Sequence, residues 1–308
     1  MKETEDCFLK VKKDYLRFLK KEKIINRSKI TKIKNLKKNY IPISFWIEKK
    51  YKEKGKTLFL GLSGGQGAGK TTMTGILKII LNKFFKRNVC VTSIDHFYKT
   101  LDERNVMSKQ IHPLFKTRGV PGTHDIMLVK KFFNKIKKNK FKEFKIPKFD
   151  KSIDDRIKNK YWSKISKKPE IVILEGWCVG AKPQSNSLIK KPINNLERKE
   201  DRKLIWRKRV NEKLKNEYKK VFAMIDHLIF LKVPSFDMVF QWRLLQEAKL
   251  KKISYLNKKI MNYNQIKRFI MFYQRITLQM IKDLSKSASV VMLLKENHEI
   301  RNVLLKKK

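Results

Sequence analysis

Residues 64–71 run Gly64-Gly65-Gln66-Gly67-Ala68-Gly69-Lys70-Thr71, a loop short of side chains that ends in an ammonium and a hydroxyl. They fit G-x-x-x-x-G-K-[ST], and the chemistry follows from the residue types. Glycines let successive backbone N–H groups point inward around phosphate oxygens, and a helix beginning at the lysine adds its positive end. The Lys70 ammonium is placed to reach β- and γ-phosphates, and the Thr71 hydroxyl is a hard oxygen ligand for Mg²⁺. A bare glycine-rich turn is the plain alternative. The context argues against it, because the apolar run "LFLGL" leads in and the helix-forming "TTMTGILKII" leads out. The loop alone says that a nucleoside triphosphate is held, not what is done with it.

Two acids supply the next clue. Asp95 closes "VCVTSID" and Glu175 closes "IVILE", each at the end of an apolar, β-branched run. In open parallel sheets, ligands sit beyond such strand ends. Phosphoryl transfer to a hydroxyl needs one carboxylate to accept the hydroxyl proton and another near Mg²⁺. A loop cap and an ordinary strand-end charge are the plain readings of the two. Their pairing beside a phosphate loop favours the chemical one.

Cations and a histidine follow in "RGVPGTHD" (118–125) and "PKFDKSIDDR" (147–156). Asp125 is well placed to N-cap a helix starting at Ile126. Arg118, His124 and Arg156 are the groups able to recognise a small anionic acceptor, with Asp150 and Lys151 beside them and Tyr98 just past Asp95. The residues alone do not choose among these. Of the five histidines, His124 is the strongest candidate and His96 the next; none pairs at metal-ligand spacing, which speaks against zinc.

The elements that must position these groups are legible as runs. Five apolar stretches, Leu58–Leu62, Val89–Ile94, Ile171–Leu174, Leu228–Val233 and Val290–Leu294, alternate with helix-period segments such as Thr72–Phe85, Ile126–Ile136, Trp206–Ile225, Phe236–Leu250 and Gln265–Leu284. Continuous apolar strands interleaved with helices predict an α/β fold with three α/β/α layers around a mostly parallel five-stranded sheet. Residues 1–40 read as a basic helical extension and 41–308 as the phosphate-loop domain, with helical insertions at 96–168 and 177–205 able to form an acceptor pocket and a lid.

The formal charge of +48 over 308 residues raises the question of a nucleic-acid partner. The lysines are scattered along the whole chain rather than gathered into an arm or groove, which weighs against it and towards compositional drift. Cys7, Cys90 and Cys178 are far apart and form no CxxC pair, so neither a disulfide framework nor a cysteine zinc site is expected. No apolar h-region opens the chain and no run reaches 18 apolar residues, so a cytoplasmic protein without a membrane partner is expected.

"YIPISFWI", "LFLGLSGGQGAGKTT", "SIDHFY", "RGVPGTHD", "FDKS…DR", "VILEGW", "PINNLE…D…W…VN…Y", "FDMVFQWRLLQE" and "FYQRIT…M" occur in that order. This set resembles the glycerate kinase-like P-loop kinases, the group of D-glycerate 3-kinase, within the phosphoribulokinase, uridine kinase and pantothenate kinase superfamily. The resemblance runs from about residue 40 to 300. It implies that Gly64–Thr72, Thr72 included, bind the phosphates of ATP, that Asp95 is the general base, and that Glu175 is the acid near Mg²⁺. It also implies that 118–125 and 149–152 lie on the acceptor side and that Arg243, in the "WRLLQE" helix, lies next to the nucleotide. The chain departs from the family pattern in "FDKSIDDR", where a Gly-rich spacer is reduced to Ile153-Asp154. The expectation is therefore an ATP- and Mg²⁺-dependent kinase of a small hydroxy acid, with D-glycerate the expected acceptor. The alternatives are a kinase for a nucleoside, pantothenate or a sugar, and a nucleic-acid-associated P-loop ATPase.

Overall fold

The computed structural model describes residues 2–24, 28–253 and 261–306. Its central sheet has six strands: β1 (Leu58–Gly64), β2 (Val89–Ser93), β3 (Ile171–Gly176), β4 (His227–Lys232), β5 (Val290–Leu294) and β6 (Ile300–Leu305). They lie in the order β6-β5-β4-β1-β3-β2. Strands β1 to β5 are mutually parallel, and β6 runs antiparallel to β5 at the edge. All five expected strands are present, and β6 is an addition. Its residues are half-buried or exposed, so it lacks the continuous apolar run that marks a buried parallel strand, as an edge strand with a solvated face should.

Both faces of the sheet are covered, and the side-chain alternation of the strands shows how. Val172 and Leu174 of β3 point into one core with Phe59, Phe230 and Val291; Ile171 and Ile173 point into the other with Leu58, Leu60, Ile229 and Met292. Helices α1 (Lys2–Lys21), α2 (Ile41–Lys54) and α3 (Lys70–Lys83) cover the second face. Helix α5 (Ile126–Lys137), which follows α4 (Leu101–Gln110), covers the first together with α6 (Ile205–Lys213). Helix α7 (Phe236–Ile253) sends Val239 and Trp242 into the second core. Helix α8 (Tyr263–Ser287) contributes to both, with Ile266 and Ile270 on one side and Phe272, Ile276 and Met280 on the other.

Helix α1, in the N-terminal segment, is docked on the sheet. Cys7, Phe8, Val11, Tyr15 and Leu19 of α1 are buried in the same cluster as β1 and α3. A Cβ on Gly75 of α3 would come within 2.3 Å of the Phe18 ring, so the two helices touch at the glycine. The segment read as one helix over 206–225 is divided. Helix α6 gives way to a π turn at Leu214–Tyr218 and a last α-helical turn at Lys219–Phe222. The 96–168 insertion folds into α4, α5 and two short antiparallel ribbons, Phe144–Ile146 with Ser163–Ile165 and Phe149–Asp150 with Asp155–Arg156. No described helix is long and apolar enough to cross a membrane.

Candidate active site

The phosphate loop leaves the centre of the sheet. Every residue of β1 is buried, so the strand end is a fixed platform, and the chain turns through residues 65–69 into α3. Gly67 and Gly69 have φ of +76° and +85°, which side-chain-bearing residues adopt only at a cost. A Cβ at Gly67 would also meet Cβ of Trp242 at 2.8 Å, whereas Gly69 opens onto free space. Helix α7 thus packs directly against the loop, and Trp242 is anchored there by its Nε1–H bond to the Glu296 carbonyl at 2.8 Å.

Lys70 Nζ donates to the Gly64 and Gly65 carbonyls, both at 3.0 Å. Burial lowers its pKa, while the carboxylates of Glu175 and Asp95 oppose the shift. The side chain of Gln66, in the loop, has both amide atoms buried without a partner among the described residues, as do Ser63 Oγ just before the loop and Thr92 Oγ1 on β2. Unmet polar groups of this kind are rare and point to a site that takes a polar ligand.

Glu175 and Asp95 come together at neighbouring strand ends. Register pairs Glu175 with Leu62 of β1 on one side and Ser93 of β2 on the other. Glu175 is buried; burial raises its pKa, Lys70 opposes that, the Asp95 charge adds to it, and the Ser93 hydroxyl donates to the carboxylate. Gly176 follows because a Cβ there would lie 2.4 Å from Cγ2 of Ile94. Asp95 occupies the short 3₁₀ turn Ile94–Phe97, with its N–H on the Ser93 hydroxyl at 3.3 Å. Lys151 Nζ donates to Asp95 Oδ2 at 2.7 Å. Burial alone would raise the Asp95 pKa, but Lys151, with His124 and Lys70, holds it well below the usual carboxylate range.

The acceptor-side candidates are brought to the same end of the sheet, but in unequal states. The backbones of Tyr98 and His124 form an isolated β-bridge, and their rings stack at 4.3 Å. His124 is buried; burial lowers its pKa to about 4 against the pull of Asp95. The segment 149–156 is a hairpin whose tip carries Lys151. Asp150 Oδ1 accepts from the Ser152 N–H and hydroxyl at 2.8 and 2.6 Å, shaping that tip.

Asp154, from the shortened spacer, adopts φ +56° and is held by Arg104 and Arg118. Arg104 is fully buried and also donates to the Lys116 carbonyl at 2.8 Å. Arg156 donates twice to the Tyr98 carbonyl, at 3.1 and 2.7 Å, and lies 3.6 Å from Asp125, which caps α5. Arg118 and Arg156 are therefore tied into the scaffold, and Lys151 is the cation of the hairpin that meets Asp95.

Arg243 of α7 pairs with Gln246 at 3.0 Å and with Glu247, and its guanidinium lies 5.2 Å from the centre of the Phe269 ring. Its Nε is buried and unpartnered among the described residues. Tyr273 of α8 links the parts. Its hydroxyl donates to the Arg118 carbonyl at 3.3 Å, and burial and Asp95 raise its pKa while Arg118 and Arg243 oppose them.

Tyr218 and Tyr273 adjoin the candidate site through His124 and Arg118, partnerships that sequence reasoning does not reach. Tyr273 lies within "FYQRIT", a motif to which the residues alone assign no role. Tyr218 closes the ordered set "PINNLE…D…W…VN…Y", to which the residues alone likewise assign no role, and its partner His124 is 94 residues away.

Whether Mg²⁺ suits this donor set can be asked of the residues. Thr71 is exposed at the start of α3, and Glu175 is a desolvated carboxylate whose charge is stabilised by a cation. No group of three metal-binding side chains occurs among the described residues. That is compatible with Mg²⁺, which takes one or two protein oxygens, phosphate oxygens and water. The donors fit.

Comparison with known proteins points the same way. No family model matches the chain. An "Uncharacterized kinase" of Schizosaccharomyces pombe (mug58) is 34% identical over 214 residues, covering 67% of this chain and 76% of its own length. The chloroplastic D-glycerate 3-kinase of Arabidopsis thaliana is 27% identical over 230 residues; they cover 69% of this chain but 48% of the plant protein, so the chain spans about half of that relative. The solved D-glycerate 3-kinase of Cryptococcus neoformans superposes with a TM-score of 0.72 at 21% identity, covering 86% of this chain and 98% of that one, and shares its fold. With its phosphate loop, strand-end acids and ordered motifs, the chain belongs to the glycerate kinase-like P-loop kinase family.

Proposed function

We propose that the protein transfers the γ-phosphoryl group of ATP to a hydroxyl of a small hydroxy acid, with D-glycerate as the acceptor. The observation that supports this reading is the meeting of Lys151 with Asp95 beside Lys70, a carboxylate and two cations beyond the end of β2. The acceptor hydroxyl oxygen bonds to the γ-phosphorus as its proton passes to Asp95. The bridging β–γ P–O bond breaks, and its electron pair leaves on ADP.

Lys70 turns from the Gly64 and Gly65 carbonyls to the phosphates and neutralises charge that grows on the transferred group. Mg²⁺, when bound by Thr71 with Glu175 nearby, supplies further neutralisation of the phosphate oxygens. Lys151, relieved of Asp95, is free to meet the acceptor's carboxylate. Residues 41–308 form the kinase domain in this reading, and the 96–168 and 177–205 insertions close over the site and exclude water. Arg243 is the cation of α7 available to the nucleotide.

The test is a panel of acceptors with γ-labelled ATP and Mg²⁺: D-glycerate, pantothenate, uridine and a hexose, with RNA-stimulated hydrolysis measured alongside. Label in phosphoglycerate supports the proposal. Label in another acceptor, or RNA-stimulated hydrolysis with no labelled acceptor, replaces it with the corresponding alternative.

A further inference from the structure

The two ring nitrogens of His124 have different surroundings. Nδ1 lies 2.7 Å from the Tyr218 hydroxyl, and Nε2 is buried with no hydrogen-bond partner among the described residues. His124 as a residue is 2% exposed. The Tyr218 oxygen also accepts the Gly122 N–H at 2.9 Å. A phenol has one proton to give. With an N–H already aimed at its oxygen, the arrangement that satisfies both Tyr218 and Nδ1 sends the phenolic proton to Nδ1. The reverse would leave that proton without an acceptor in a fully buried place. Nδ1 is then an acceptor, and the proton of the neutral ring resides on Nε2.

The ring is also held on two sides. It stacks on Tyr98 with an interplanar angle of 18° and meets Tyr218 edge-on, with centroids 5.9 Å apart. Tyr218 closes the π turn Leu214–Tyr218, a local rewinding of the kind often found at functional sites.

We infer that Tyr218 is a positioning residue that fixes His124 in its Nε2–H tautomer, and that this neutral donor serves a non-reacting oxygen of the acceptor. The inference rests on the acceptor-side reading of residues 118–125. A buried N–H selects for an oxygen lone pair and penalises any acceptor that lacks one there. The oxygen is not the attacking one, whose lone pair has to face phosphorus.

The direct test is the histidine ¹H–¹⁵N two-bond correlation spectrum of the full-length protein, with the His124 signals assigned by their loss in His124→Gln. The Nε2–H pattern is expected, and the Nδ1–H pattern overturns the inference. Kinetics supply the second reading. Tyr218→Phe should lower kcat/KM for the acceptor about tenfold through KM, with the KM for ATP unmoved. In His124→Gln the side-chain amide presents a donor that needs no tautomer, so adding Tyr218→Phe there should cost little further. Equal losses in both backgrounds would mean that Tyr218 acts by packing, and would overturn the inference. Should Tyr218→Phe not fold, the spectrum of the unaltered protein still decides. The tautomer is read without any acceptor, so a failure of D-glycerate in the panel stays distinct from a failure here.

Discussion

The Lys151 ammonium lies 2.7 Å from Asp95 Oδ2, joining the tip of the 149–156 hairpin to the turn that follows β2. The pair holds the proposed base in a weakly basic state until Lys151 moves. Arrival of an anionic acceptor, which competes for the lysine, would therefore restore basicity to Asp95 at the moment it is needed.

Lys151→Met should move the acidic limb of the kcat/KM profile to higher pH, and Lys151→Arg should restore it. Asp95 faces Lys151, Lys70 and His124, which lower its pKa from the ordinary 3.8, while Glu175 carries a like charge close by. A carboxyl depressed in this way stabilises the fold above its ordinary pKa, and the contribution is lost as pH falls towards the native value. The variant should accordingly be less sensitive to acid below about pH 4. An unchanged acidic limb would show that Lys151 does not tune Asp95.

Gly67→Ala and Gly69→Ala should differ, although both glycines have positive φ. At Gly69 a methyl group meets nothing, so the cost is the left-handed backbone alone, about 1–2 kcal/mol. At Gly67 the methyl group also meets Trp242, and the loop or α7 must shift. ATP affinity and melting temperature should both fall further for Gly67→Ala. Equal effects would mean that the contact with α7 is not what shapes the loop.

Gly75→Ala reverses the usual sign for a helix interior. Alanine ordinarily gains about 1 kcal/mol over glycine there, but in α3 its methyl group runs into Phe18 of α1. The substitution should destabilise the protein by about 1–3 kcal/mol. In a Phe18→Ala background it should be neutral or stabilising. A double-mutant cycle by urea unfolding measures this coupling, and additive effects would contradict the docking of α1 on α3.

The pH dependence of stability should carry the signature of His124. Burial sets its native pKa at about 4, below the ordinary 6.5. The unfolded chain takes up the proton first, so stability is full above pH 6.5 and declines as pH falls towards 4. The loss amounts to roughly 3 kcal/mol. Urea unfolding of the unaltered protein and of His124→Gln across this window should give curves that diverge on acidification. Parallel curves would mean that the histidine is not held neutral.

Much of this is legible in the chain because the governing signals are local. The phosphate loop needs glycines at fixed offsets, and the five parallel strands are continuous apolar runs because both of their faces are covered. Glu175 at the end of "IVILE" can be placed on the same ground. Strand β6 escapes a reading by runs because an edge strand has none. The π turn at Leu214–Tyr218 is hidden because it retains helical character while shifting the phase of the next turn. The partnerships that shape the proposed acceptor side, Tyr218 with His124 and Tyr273 with Arg118, span 94 and 155 residues. No spacing rule reaches so far. Nor does a charged residue's type say whether it is free, as the ties of Arg118 to Asp154 and of Arg156 to Tyr98 illustrate.

The central claim is that Asp95 takes the proton of an acceptor hydroxyl presented beside the phosphate loop. Single-turnover transfer from γ-labelled ATP to D-glycerate, compared between the unaltered protein and Asp95→Asn, tests it most directly. The expected result is a fall in the transfer rate of about 10²–10⁴-fold with ATP affinity little changed. Near-normal transfer by Asp95→Asn would contradict the claim.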